Sequence, residues 1–197
     1  MMFKLGLTGS IGMGKSTTAQ MFGDLGCDVY DADAAVHRMY GKGGLAIEPM
    51  RAMIPAAVVN DEISRDHLRE AIMNDPTLLK KIEGVVHPLL GQDRADFMAK
   101  VTSDIVVFDI PLLFETGGQA NMNAVACVWI DAQTQKKRVM ERGIMTQEQF
   151  EAIRAKQLPA DEKRDRADYV IVTDTPEHAR AQVAEIVNSI RQGIADA

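Results

Sequence analysis

Gly9-Ser10-Ile11-Gly12-Met13-Gly14-Lys15-Ser16 is the stretch on which the reading of this chain turns. It fits G-x-x-x-x-G-K-[ST], the phosphate-loop pattern, and its neighbours supply the setting that pattern requires. Phe3-Lys4-Leu5-Gly6-Leu7-Thr8 is short and apolar at alternate positions, which predicts a strand. After the loop, Ala19, Met21, Phe22 and Leu25 fall on a helical stripe that ends at Gly26, a residue suited to a C-cap. Strand, glycine loop and helix in that order turn backbone N–H groups toward a phosphate, and the helix N-terminus adds about half a positive charge. Gly9, Gly12, Met13, Gly14, Lys15, Ser16 and Thr17 are therefore expected at a nucleotide. Lys15 would reach the outer phosphates and the Ser16 hydroxyl would hold Mg²⁺.

Outward from the loop, residues 27–30 read as a second strand running into Asp31-Ala32-Asp33. A helix follows with Ala34, Ala35, Val36 and Met39 and stops near Gly41, where Gly41-Lys42-Gly43-Gly44 makes a flexible junction. From there to about residue 103 the pattern is helical with no strand, and Pro88 predicts a kink or break at His87. Ile105-Val106-Val107-Phe108-Asp109-Ile110 is a near-continuous apolar run, as in a strand buried on both faces of a parallel sheet. Residues 125–131 repeat that signature. Charged helices over 133–142 and 146–157 precede a loop around Pro159, a fifth strand over 169–173 and an amphipathic helix over 176–194. Alternating strands and helices predict an α/β fold with a parallel five-stranded sheet and right-handed crossovers.

A chain of 197 residues can bury one sizeable core, and its 46% hydrophobic and 25% charged content is ordinary for a globular protein. The net charge of −6 argues against a nucleic-acid binder. That charge is uneven: residues 133–168 carry nine Lys/Arg against seven Asp/Glu, or +2, which leaves −8 for the rest. A locally basic segment in an acidic protein suits an anionic ligand held at one place. Cys27 and Cys127 sit in apolar runs without metal or disulfide spacing, so buried thiols in a reducing compartment are expected. No signal peptide or bilayer-spanning run is read, and the expected setting is the cytoplasm, with no membrane partner.

Ligands bind at the C-terminal strand ends of open parallel sheets, which draws attention to Asp33, Asp109 and Asp131. A carboxylate there can activate an acceptor hydroxyl or hold a metal, and it can equally cap the next helix. Asp31 and Asp33 stand two apart, so at a strand end one can point into the cleft while the other caps. Arg138 and Arg142 share a helical face, and arginine suits phosphate because its planar fork binds bidentately. His37 and His87 have no metal-ligand spacing, and His37 is expected to be packed.

Taken together these residues resemble dephospho-coenzyme A kinase. The resemblance rests on the loop from Leu7 to Thr17, Asp31-Ala32-Asp33 with His37, and Ser64-Arg65. It continues through His87-Pro88-Leu89, Pro111-Leu112-Leu113-Phe114-Glu115, Arg138 with Arg142, Gln157-Leu158-Pro159 with Lys163, and Ala167-Asp168-Tyr169-Val170-Ile171. It implies a P-loop NTPase-type core like that of nucleoside monophosphate kinases, within one kinase domain over 1–197. The core would comprise about 1–40, 104–132 and 167–197, with a helical acceptor-binding insertion at about 41–103 and a helical lid at about 133–166. It also implies transfer of the ATP γ-phosphate to the ribose 3′-hydroxyl of dephospho-coenzyme A, the last step of coenzyme A synthesis. On that likeness Asp33 is the base or orienter of the hydroxyl, Lys15 and the loop amides cradle the phosphates, and Arg142 is the lid arginine. Thr8, Asp33, Arg65, His87, Pro111 and Leu112 would face the acceptor, a small molecule.

The chain departs from the family's pattern twice. Many members carry an arginine where this chain has Ile153, with Arg154 one step later, which bears on a lid contact to phosphate. Many carry an asparagine where it has Thr173, which bears on an adenine contact. The phosphate loop alone also fits another small-metabolite or nucleotide kinase, or a non-catalytic nucleotide-binding regulator. A GTPase switch is set aside because no Asn-Lys-x-Asp segment occurs.

Overall fold

A computed structural model describes residues 2–196. Its contacts divide the chain into two compact units, one formed up to Tyr30 and again from Val101 onward, the other by Asp31–Lys100.

The first unit is built on β1 (Phe3–Thr8), β2 (Asp28–Asp31), β5 (Ile105–Asp109), β6 (Ala124–Trp129) and β7 (Tyr169–Val172), in the order β2-β5-β1-β6-β7. β1 pairs in parallel with β5 and β6, and β6 with β7. All of β5 is buried, as its unbroken apolar run requires. Helices α1 (Lys15–Asp24) and α9 (Pro176–Ala195) supply Phe22, Val183, Ile186, Val187 and Ile190 to a core shared with Leu5, Leu7, Val107, Val128 and Ile171. From β1 the chain crosses to β2 on one side; from β5 it passes to β6 on the other. The loops after β1 and β5 therefore part at the C-terminal edge of the sheet, where open α/β sheets take their ligands. Between β6 and β7 lie α6 (Ala132–Glu141), α7 (Gln147–Arg154) and α8 (Ala160–Arg166). The sequence reading leaves α8 as loop: in Ala-Asp-Glu-Lys-Arg-Asp-Arg the one fully buried position is Lys163, so no apolar stripe marks it.

The second unit contains α2 (Ala32–Tyr40), α3 (Ile47–Met53), α4 (Arg65–Asn74) and α5 (Thr77–Met98). Its core joins Met39, Ile47, Met50, Ile54, Leu68, Ile82 and Val86, and Met39 is what places α2 in this unit. Three features differ from the expectations drawn from sequence. A small antiparallel pair, β3 (Val58–Val59) and β4 (Glu62–Ile63), interrupts the helices. It turns on Asn60 (φ 52°) and Asp61 (φ 60°), residues that tolerate the left-handed region a two-residue hairpin demands. Nor does Pro88 break α5, which runs through it unbroken for 22 residues. Ile82 and Val86 before the proline, and Leu89 and Leu90 after it, all pack into the same core. His37 is exposed rather than packed, because Ala35 and Met39 carry the buried face of α2.

Candidate active site

The phosphate loop leaves β1 and enters α1 through Gly14, whose φ of 87° lies in the left-handed region. No side chain caps this helix, whereas Asp31, Asp131, Thr146 and Thr175 accept from first-turn amides of α2, α6, α7 and α9. The first-turn amides of α1 have no partner within the helix and face an uncapped end, the arrangement that binds anions. Gly12 also has positive φ, 77°, and a Cβ there would come 2.3 Å from Val139 Cγ2, so only glycine fits. Met13 buries its side chain in the core and can offer only backbone to a ligand. Its N–H donates to the Ser10 carbonyl at 3.2 Å and its carbonyl accepts from Thr173 Oγ1 at 2.9 Å. Ser16 and Thr17 are exposed at the first turn.

Lys15 Nζ donates to Asp109 Oδ1 in an ion pair whose carboxylate is 2% exposed. The ends of β1 and β5, adjacent in the sheet, bring the two together at the parting of their loops. The sequence suggests a role for each separately; the fold makes them one unit. Among the described residues no group of three or more His, Cys, Asp or Glu could hold a metal. A hard cation here would rest on the Ser16 hydroxyl, the Asp109 side and the oxygens of a bound nucleotide, a donor set that suits Mg²⁺.

Beside the loop lies a cavity of about 180 Å³ lined by Gly12, Gly14, Thr17, Arg138, Arg142 and Thr173, among others. Arg138 is engaged: its guanidinium donates to Thr173 Oγ1 at 3.3 Å and to the carbonyls of Thr173 and Asp174 at 2.7 and 3.0 Å. Arg142 is exposed at the C-cap of α6, one residue before Gly143 at φ 63°. The departures from the family pattern now have physical content. Thr173 is buried, with its hydroxyl held between Arg138 and Met13. Ile153 carries no charge, and Arg154 is paired with Glu151 at 2.8 Å and lies over the Phe150 ring.

The middle of the loop is gripped from two sides. The Ile11 N–H donates to Gln157 Oε1 at 3.2 Å, and Gln135 Nε2 donates to the Ile11 carbonyl at 2.7 Å. Nothing in the sequence pattern points to Gln135, which is buried on α6 among charged neighbours.

Thr8 is fully buried, and its hydroxyl donates to the Pro111 carbonyl at 3.1 Å. Lys163, 0% exposed, donates to the same carbonyl at 2.8 Å and pairs with Glu115 Oε1 at 2.8 Å. Glu115 also accepts from the Leu158 N–H at 2.9 Å. Burial pushes the Glu115 carboxyl up, but the bonds from Lys163 and Leu158 outweigh it and leave the group below its ordinary value. Leu112 stays exposed. Lys163 and Glu115 appear in the sequence only as parts of motifs, because a buried lysine mimics a surface one in any hydropathy pattern.

In the second unit, Asp31 accepts from the Ala34 N–H at 2.9 Å and caps α2, which leaves Asp33 exposed in the first turn. Arg65 opens α4, exposed, with its guanidinium 5.9 Å from the centre of the Tyr40 ring. Burial pushes the Tyr40 phenol up and Arg65 partly opposes it. His87 is exposed on α5. Lys15, the loop, Arg142, Thr8 and the Pro111-Leu112 segment all belong to the first unit; Asp33, Arg65 and His87 belong to the second.

A family model described as dephospho-CoA kinase matches residues 3–178. The chain is 64% identical to the dephospho-CoA kinase of Ruegeria pomeroyi over 98% of each chain, and 50% identical to that of Cereibacter sphaeroides over 96% of each. Its fold is similar to the crystal structure of TT1252 from Thermus thermophilus, with a TM-score of 0.86, 30% identity and coverage of 95% of this chain and 97% of that one.

Proposed function

The chain belongs to the dephospho-CoA kinase family, and on that premise we propose how its residues divide the work of moving the γ-phosphate of ATP to the ribose 3′-hydroxyl of dephospho-coenzyme A. It is a kinase of coenzyme A biosynthesis, a transferase that phosphorylates dephospho-CoA. The observation that carries the division is the uncapped start of α1, with Lys15 held beside it by Asp109. Amides of that first turn receive the β- and γ-phosphates, and Lys15 turns from one anion, Asp109, to another. The adjoining cavity takes the nucleoside end, with Arg138 bracing its wall. Asp33, free because Asp31 does the capping, orients the 3′-hydroxyl and accepts its proton. The hydroxyl oxygen then bonds to the γ-phosphorus as the bond to the bridging oxygen breaks, and ADP leaves. Arg142 lays its fork on the moving group, where developing charge needs a donor held in place.

Mg²⁺, held by Ser16 with Asp109 alongside, would neutralise phosphate charge. Arg65, His87 and the Pro111-Leu112 segment bind the acceptor, and Thr8 and Lys163 set that segment from below. Residues 133–166 act as the lid and the helical second unit as the acceptor domain. Among the described residues no helix is long and apolar enough to cross a membrane, and the cytoplasm is where both small-molecule substrates would meet the enzyme. The test is mass spectrometry of dephospho-coenzyme A incubated with Mg-ATP. Coenzyme A should accumulate in step with ADP, and AMP should be a much poorer acceptor. Equal turnover of AMP would overturn the acceptor assignment.

A further inference from the structure

We propose that Gln135 and Gln157 are positioning residues for phosphoryl transfer, acting through Ile11 to hold the phosphate loop in its receptive shape. The inference rests on the reading of that loop as the ATP site. The Ile11 N–H lies in the peptide plane shared with Ser10, and its carbonyl lies in the plane shared with Gly12. Gln157 therefore fixes one plane and Gln135 the next, by bonds of 3.2 and 2.7 Å. Gly12 is the residue of this stretch least restrained by its own sterics. Without the two amides, the planes on either side of Ile11 would be held only by the Met13 N–H to Ser10 carbonyl bond across the turn, and could tilt the neighbouring N–H groups off the phosphates.

The two side chains work in opposite senses, one accepting and one donating, so they match the two polar groups of a single residue. Both are neutral. They steady the loop without adding charge where phosphate charge must be balanced, which a lysine or an aspartate in either place would do. Gln135 is 2% exposed, so its grip is sheltered from competing water.

Opposite senses make the idea testable with isosteric changes at pH 8. Gln157→Glu keeps an acceptor toward the Ile11 N–H; Gln135→Glu sets an acceptor against a carbonyl. Gln135→Met and Gln157→Met keep length and remove the amide. Each Met variant should lose roughly 10- to 100-fold in kcat/KM for ATP, the scale of a small misplacement of reacting groups, with KM for dephospho-CoA within about two-fold. Gln157→Glu keeps the bond but adds a charge, so it should lose clearly less than Gln157→Met without recovering fully, while Gln135→Glu should lose at least as much as Gln135→Met. Should a Met variant fail to fold in a thermal melt, the Glu pair decides alone. Equal behaviour of the two Glu variants, or equal loss toward both substrates, would overturn the proposal. ATP binding is titrated in parallel. A parent that binds ATP but forms no coenzyme A overturns the functional reading alone, and variants that bind ATP as the parent does overturn the clamp.

Discussion

The surroundings of the phosphate loop and the exposed charged residues of the second unit are built on opposite plans. Around the phosphate loop the two cations and the backbone at the loop's centre are already engaged: Lys15 by Asp109, Arg138 by Thr173 and Asp174, Ile11 by two glutamines, Met13 by Thr173. In the second unit Asp33, Arg65 and His87 stand exposed, as does Arg142 at its turn. The first plan suits a ligand that every turnover uses in the same way, because a cradle held beforehand loses little freedom when it binds. The second suits groups that must act only when a particular acceptor has arrived, since an ordered reactive group without acceptor invites transfer to water.

The contrast is broken most severely at Asp33. Asp33→Asn keeps size and removes charge, and turnover should fall roughly 10²–10⁴-fold, the range of a positioned acid or base, while ATP affinity stays near the parent's. Normal turnover in a steady-state assay would return Asp33 to an ordinary first-turn residue.

On the engaged side the largest loss should be of stability. Lys163→Met removes a fully buried cation and leaves the half-buried Glu115 carboxylate without its partner, which should show as a clear drop in the urea midpoint at constant slope. The same pair sets an acid limit. Glu115 is held below its ordinary value, so its contribution is complete above about pH 4.5, the unfolded value, and is lost as pH falls through the lower folded value. Accordingly Glu115→Gln should be less stable than the parent at pH 7, with the gap closing toward pH 3. A gap that widens in acid would reverse the sign assigned here.

Arg142 and Arg138 sharpen the comparison, since they lie one turn apart and belong to different plans. Arg142→Lys should lose more than ten-fold in kcat, about 1.4 kcal/mol or more in the barrier, with ATP affinity of the open form little changed. Arg138→Lys forfeits its bonds to two carbonyls. It should raise KM for ATP and lower the melting temperature more than it lowers kcat. Kinetics and melts on both variants separate the roles, and an interchange of the two patterns would misplace the lid arginine by a turn.

The smallest effect expected is none. Burial pushes the Cys27 thiol up to about 11 and the Cys127 thiol up to about 12. Neither should react with a thiol reagent at pH 8 until denaturant unfolds the chain, and both should then react. Prompt labelling of the native protein would show that the core opens around them.

What was legible in the sequence was local. The loop and its flanking strand and helix announce themselves because glycine placement and apolar period act over a few residues. The buried strands of the sheet did so for the same reason, and the nearly full-length family likeness supplied the reaction. What escaped was set by contacts between distant segments. Lys163 looks like a solvated lysine until Pro111 and Glu115 are brought beneath it. The bond from the Thr8 hydroxyl to the Pro111 carbonyl joins residues 103 positions apart. Pro88 reads as a helix breaker by local rules, and packing on both sides of it overrides them. The turn at Asn60-Asp61 was written in turn chemistry, but strands of two residues leave too little alternation to read.

The bonds that steady the phosphate loop span almost the whole polypeptide. Gln135 reaches Ile11 across 124 positions, Gln157 across 146, and Thr173 reaches Met13 across 160. On the ribosome, therefore, the glycine loop emerges well before the residues that give it its mature form. A nascent chain stalled before Gln135 carries the whole signature motif and none of the three side chains that steady it, so on this reading the capacity to hold ATP follows the motif by more than a hundred residues of synthesis. Contacts of such separation also make assembly slow relative to the local helices. A truncated chain that keeps the motif but ends before the last strand should be a poor nucleotide binder, however well its first eighty residues fold.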